Sequence, residues 1–504
     1  MNTFLNGLRE ADNYKLTENG GVAHKSTLSD VYDMFALCGA YRNRSDEDCI
    51  FMFKKALEEN KELALKCLFY LADCRGGQGE RRLFRVCFHW FCDHDPQAAS
   101  ALVKLIPVYR RWDDVLYSCI GTKVENVAKD FIAEQLLLDV NSKTPSLLGK
   151  WMPSENASAA STKLLGGIMR EHLGMTHKQY RKTLSLLRDR INIVERLMSE
   201  NRWDEIEFDK IPSKAGLIYK NAFARRDMIA AKYEAFAKDE NTTVNADTLY
   251  PYEVVNKAIE SFKCSYEWTH RHYESKLSKT DRLMLEKYWN NLKDYFNGKQ
   301  SNILCVVDTS GSMHGTPINV AISLGMYCAE RAGGPFKDHY ISFSSRPQLI
   351  KVEGVDFVDK VQRIYRTNLC ENTNLTKVFD LLLETAKKSK PEDIPETICV
   401  ISDMEIDTGA NYSWSCNSPW TEKTAATEME KVRAKWARAG YKVPRLVYWN
   451  VDARQNTILD SGPDVTFVSG MSPAIFESVI TGKNGIDLML DKLLSDRYQA
   501  VTCE

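Results

Sequence analysis

No stretch of this 504-residue chain is long and apolar enough to read as a membrane span, which needs about 18 consecutive apolar residues. The opening residues, Met1-Asn2-Thr3-Phe4-Leu5, show neither the basic nor the apolar region of a secretory signal, so the sequence reads as that of a cytoplasmic protein. No Cys-x-x-Cys pair occurs among the 14 cysteines. Cys87, Cys92 and His94 come nearest to a metal cluster, but their spacing fits no common zinc module. Most cysteines, such as Cys67, Cys74, Cys305 and Cys399, stand where a small apolar residue would serve, as reduced buried thiols do in a cytosolic protein. The formal net charge of −1 selects no class of partner. There is no phosphate-binding Gly-x-x-x-x-Gly-Lys-Ser/Thr loop and no Gly-x-Ser-x-Gly nucleophile elbow, so the chain reads as non-enzymatic.

What the sequence does have is two halves with different patterning. Its hydrophobic fraction, 44%, is enough for a core of ordinary size. Residues 1–297 read as helix after helix. Apolar residues recur at three- and four-residue spacing in 47–58, 61–74, 80–92, 97–106, 108–119, 124–140, 156–171, 177–200, 213–237 and 275–297. Breakers such as Gly76-Gly77, Asp95-Pro96, Pro107, Pro153, Gly174, Pro212 and Pro251 divide them. Helix pairs of this length predict an α-helical, HEAT-like repeat domain, with an irregular all-α domain as the plainer alternative. From Asn302 to the end, short β-rich runs at 302–308, 338–343, 397–402, 445–451 and 465–468 alternate with helical stretches. That alternation predicts a doubly wound α/β domain over 302–504, with its site at the carboxyl ends of the strands.

Two acids, Asp308 and Asp403, fall at such ends. Residues 308–312 read DTSGS, and a loop leaving a strand can turn alternate residues, Asp308, Ser310 and Ser312, toward one ion. Thr373 stands just before a helix and can add a hydroxyl, and Asp403 can hold a water on the same ion. Hard oxygen donors with few carboxylates suit Mg²⁺ or another divalent cation. The same five residues would also serve as a polar strand-to-helix turn. A phosphoaspartate enzyme needs a second Asp two residues after the first, where this chain has Ser310. The order Asp-x-Ser-x-Ser, then Thr, then Asp resembles the metal-ion-dependent adhesion site of von Willebrand factor A domains. That resemblance implies a cation with one coordination position open to a partner's carboxylate.

A second resemblance lies in the helical half. Residues 71–82 (LADCRGGQGERR), 150–156 (KWMPSEN) and 203–206 (WDEI) look like segments of a bacterial, phage and plant family related to the Ro autoantigen, or TROVE, proteins. The resemblance implies a ring of HEAT-like helices closed by the A domain, and RNA as the ligand. Residues 174–178 (GMTHK) look like a Ro segment beside the RNA-binding ring, with Met175 in place of a stacking tryptophan. Arg170, His177, Lys178 and Arg181 are therefore the phosphate-contact candidates, and Arg75, Arg81 and Arg82 a second group. His177 serves equally as a helix-start surface residue. Gly76-Gly77 read as the end of one helix and Glu80 as the first turn of the next. Charge points the same way. Residues 140–235 carry 17 Lys plus Arg against 11 Asp plus Glu, and residues 301–504 carry 22 against 26. The sequence thus predicts an RNA-binding scaffold with a divalent cation in its α/β half. The alternative is an assembly factor that grips a partner carboxylate through the cation, without nucleic acid.

Overall fold

A computed structural model describes residues 7, 9–267, 270–343, 347–367, 374–407 and 426–502, with side chains 263–274 left aside. It contains a helical region and an α/β sheet, in that order along most of the chain. Contacts divide the chain into two units, and not at the 297–302 boundary read from the sequence. One unit comprises residues 1–45, 58–60 and 246–493; the other comprises 46–57, 61–245 and 494–504. Among the described residues no helix is long and apolar enough to cross a membrane.

The first unit is built on a six-stranded sheet, in the order β10-β9-β8-β5-β6-β7. Its strands are β5 (Ile303–Asp308), β6 (His339–Phe343), β7 (Gln348–Lys351), β8 (Thr397–Ser402), β9 (Arg445–Asn450) and β10 (Val465–Ser469). All pair in parallel except β7, which runs antiparallel to β6. Every residue of β5 is buried, as expected of a central strand covered on both faces, which is why its sequence is a continuous apolar run. One long helix, Thr316–Arg331, lies close against it: a Cβ on Gly325 would stand 2.5 Å from Val307 Cγ2. The strand order reverses between β5 and β8, so a crevice opens beyond their carboxyl ends.

The chain's first residues belong to this unit. Strands β1 (Tyr14–Leu16) and β2 (Val22–His24) form a hairpin that bridges Gly20 to Asp407 and His24 to Ile458. Helix Asp30–Leu37 follows, and the Phe467 N–H of β10 donates to Tyr32 Oη at 2.8 Å. Helix Lys279–Asn290 packs here too, with Trp289 stacked on Phe357 and its Nε1 donating to Glu330 at 2.6 Å. A two-stranded element, β3 (Phe262–Glu267) with β4 (His270–Ser275), precedes it. Residues 1–297 read as helical from the sequence, so strands β1 to β4 were not expected.

In the helical unit, α1 (Lys61–Ala72) is buried from Ala64 onward, and α2 (Arg81–His94) buries Leu83, Phe84, Cys87, Phe88, Phe91 and Cys92 at helical spacing. Two further helices, α3 (Ala160–His172) and α4 (His177–Arg190), are joined by a turn with Gly174 at φ 60°. α4 opens on a reciprocal cap between Thr176 and Gln179. The helix expected over 177–200 breaks at Asn192, whose φ is 48°, and that over 213–237 breaks at Arg226, which is extended.

Candidate functional site

Asp308 closes β5 with no exposed surface. One carboxylate oxygen accepts the Ser310 N–H at 2.9 Å and the other the Ser402 hydroxyl at 2.6 Å. Past it the loop brings the hydroxyls of Ser310 and Ser312 within 3.0 Å of each other. Asp403 follows Ser402 on the neighbouring strand and is also buried. Its carboxylate accepts the Glu405 N–H at 3.1 Å and binds the Arg454 guanidinium. Between them Met404 holds a left-handed φ of 65°, with its N–H donating to Ser402 Oγ at 3.0 Å. A buried non-glycine residue in that region costs about 1–3 kcal/mol, and such strain clusters at functional sites. Burial, and then the charge of Asp403, push the Asp308 carboxyl up to about 7.

Four of the five motif residues can therefore be described, and Asp308, Ser310, Ser312 and Asp403 do gather at adjoining strand ends. Thr373 lies outside the described residues. The structure adds others. Ser402 fixes Asp308. Arg454, beyond the end of β9, joins Asp403 to Glu18 of the amino-terminal hairpin, at 2.8 Å from the latter. Glu405 is fully buried, accepting the Glu18 N–H at 2.6 Å and the Thr457 hydroxyl at 3.0 Å. Burial raises its carboxyl, as it does that of Asp452. Arg454 was reachable from the rule that strand ends carry the site, whereas nothing in the sequence ties Glu18 to residues almost 400 positions away.

The carboxylates of Asp403, Glu405, Asp452 and Glu18 lie among the cations of Arg454, Lys15 and Arg44. Among the described residues no three His, Cys, Asp or Glu side chains converge as metal ligands. Any cation here would rest on one carboxylate and two hydroxyls, with water completing its shell, which is the donor chemistry of Mg²⁺. Asp308, Ser310 and Ser312 fit that role, and Asp403 fits an outer one because Arg454 already occupies one of its oxygens.

In the cysteine–histidine group at 87–94, Cys87 and Cys92 are buried free thiols and His94 is stacked on Trp90 at 4.4 Å.

The arginines and lysines of the helical unit divide by whether an acid already holds them. Arg170 bonds Glu155 at 2.9 Å, Glu171 at 3.0 Å and the Met175 carbonyl at 3.2 Å. His177 is 2.9 Å from the same Glu155. Arg81 binds Asp113 and Asp114, and Arg82 binds Asp46. Those four serve the fold. Among the described residues Lys178 and Arg181 are exposed on α4 without an ion pair, and Arg181 donates to the His177 carbonyl. Lys182, missed in the sequence reading, lies beside them in the same state, four residues from Lys178 on one flank of the helix. Arg75 is also exposed, with no ion pair among the described residues.

Comparison with known proteins gives families without an assigned role. Residues 302–494 match the family described as "Domain of unknown function (DUF7788)", and residues 17–119 and 167–299 match "Domain of unknown function (DUF2828)". "Uncharacterized protein L728" of Acanthamoeba polyphaga mimivirus is 28% identical over 529 residues, covering 95% of this chain and 87% of that protein. None of these is a Ro, TROVE or von Willebrand A family. The resemblances carried by residues 308–312, 71–82 and 174–178 are corrected accordingly: short motifs matched, while over longer stretches the chain is similar to two families of unknown function. A five-residue acid–hydroxyl loop and a Gly-Gly turn recur in unrelated chains because each follows from local strand-end or helix-end geometry.

Proposed function

We propose that this protein is a non-enzymatic, cytoplasmic RNA-binding scaffold whose helical unit holds phosphates on α4 and whose α/β unit holds a divalent cation at Asp308, Ser310 and Ser312. The observation that carries the reading is the uncompensated flank Lys178–Arg181–Lys182, in a unit where Arg81, Arg82 and Arg170 are all spent on carboxylates. Three cations on one helical flank suit a backbone of regularly spaced phosphates, and single-stranded RNA is bound in this way with little regard to sequence. The helix pairs of this unit, read as a HEAT-like stack, would extend that surface. The bound cation would supply fixed positive charge at the crevice. The chain's own contribution there is to hold the Asp308 carboxylate in place through Ser402 and the Ser310 N–H.

The test is fluorescence anisotropy of a labelled single-stranded RNA at low salt, with K178A/R181A/K182A and D308A compared. The reading expects the triple variant to lose affinity and D308A to keep it. A second reading is favoured by the strand-end cluster itself. A cation held by one carboxylate and two hydroxyls leaves a position for a partner protein's carboxylate, and no nucleic acid is involved. No RNA binding by the wild type at low salt, together with Mg²⁺-dependent capture of a carboxylate-bearing peptide that D308A abolishes, would select it.

A further inference from the structure

Arg454 stands just past the end of β9, and its backbone is fixed. The Ala453 N–H donates to the Ala40 carbonyl at 3.1 Å, and the Arg454 carbonyl accepts Arg44 Nη1 at 3.1 Å. Its side chain is shared between two acids. One terminal nitrogen binds the buried Asp403, and the other meets Glu18 at 2.8 Å. The remaining Nε–H is buried with no acceptor among the described residues. A buried donor without an acceptor costs stability, so the bridge leaves this guanidinium incompletely satisfied.

The two acids at the strand ends are held differently. Asp308 is held by neutral donors, the Ser310 N–H and the Ser402 hydroxyl, which bring no charge of their own. Asp403 accepts one neutral donor, the Glu405 N–H at 3.1 Å, while its other oxygen carries the guanidinium. A guanidinium on a buried carboxylate cancels the charge that would hold the water of a cation. The neighbouring bases are engaged elsewhere: Lys15 Nζ donates to Gln455 at 2.7 Å, and Arg44 to the Arg454 carbonyl. Glu18 lies exposed in the turn between β1 and β2, and its backbone is tied down, its N–H donating to Glu405 at 2.6 Å. Its carboxylate gives the same guanidinium a second place to rest.

We propose that Arg454 and the divalent cation compete for Asp403, and that Glu18 sets the outcome by holding the guanidinium away. Resting on the cation reading above, this competition gives the same site a regulator. As the site at Asp308, Ser310 and Ser312 fills, Arg454 gives up Asp403 and keeps Glu18, and Asp403 turns its charge to the water of the cation. The amino-terminal hairpin thereby tunes a site to which it contributes no ligand.

The test is calorimetric titration of the full-length protein with Mg²⁺. D308A, expected not to bind, defines the site. R454Q should bind about tenfold or more tightly than the wild type, and R454K, which keeps the charge, should show no such gain. E18Q should bind about threefold or more weakly, because the guanidinium then rests on Asp403 alone. R454Q/E18Q should match R454Q, since Glu18 acts through Arg454. Equal affinities of the wild type and R454Q, with binding that D308A abolishes, overturn the competition and leave the cation reading standing. Additive effects of R454Q and E18Q do the same, since they would make the two residues independent charges. No D308A-sensitive binding in any of these proteins overturns both. Should R454Q fail to fold, E18Q, on an exposed side chain, decides alone: unchanged affinity there overturns the proposal.

Discussion

A carboxyl group with no exposed surface ionises only when something nearby replaces its water. Asp308 has two hydrogen bonds and a second acid for a neighbour, and its pKa of about 7 stands well above the ordinary 3.8. From about pH 4 to pH 7 the folded chain keeps a proton there that the unfolded chain has lost. Stability from this residue is therefore present at low pH and falls as pH rises through that window. A shift of that size amounts to about 4 kcal/mol at most. Asp308→Asn should flatten the decline in urea-unfolding stability between pH 4 and pH 7. Added Mg²⁺ should stabilise the wild type increasingly above pH 7, because the cation binds the ionised form, and should leave Asp308→Asn unchanged. Equal pH slopes in the two proteins would contradict this. Ser402→Ala strips the same carboxylate of its 2.6 Å bond and should cost about 1–3 kcal/mol in the same measurement.

At the scale of elements, the turn between α1 and α2 makes the sharpest prediction. A Cβ on Gly77 would stand 1.8 Å from the Tyr70 carbonyl oxygen, which no small shift relieves. Gly77→Ala should lower the thermal midpoint sharply, by several kcal/mol in equivalent stability, whereas Thr176→Ala at the α4 cap should cost about 1 kcal/mol. The elements that were legible in the sequence are those with a long period or two buried faces. β5 and β8 announced themselves as apolar runs, and α2 by its phenylalanines. β7 did not, since the four residues QLIK carry no alternation long enough to count. The hairpin β1–β2 was equally silent, because its anchoring bonds, such as Lys15 to Gln455 at 2.7 Å, join residues that only the fold brings together. The site was half legible for the same reason. Asp308, Ser310 and Ser312 are local in sequence, while Glu18, Arg454 and the free flank of α4 depend on which acids the fold has already paired.

At the scale of the molecule, the chain's end belongs with the helical unit. Arg497 and Tyr498 both bind the fully buried Asp73, Tyr498 at 2.9 Å, and Tyr109 donates to the Arg497 carbonyl at 2.6 Å. Removing residues 495–504 would leave that carboxylate buried and unpaired, a loss of about 3–5 kcal/mol. Hydrogen exchange should then speed in α1 and α2, and unchanged protection there would show that the tail is dispensable. The proposal that α4 binds RNA through phosphates is tested by the salt dependence of single-stranded RNA affinity for the wild type and for K178A/R181A/K182A. Each phosphate contact contributes about −0.7 to the log–log slope on a single strand. If all three residues touch phosphate, the variant should bind more weakly with a slope flatter by about two units, and D308A should match the wild type. Identical slopes for the wild type and the triple variant, or no RNA binding at low salt, would contradict it.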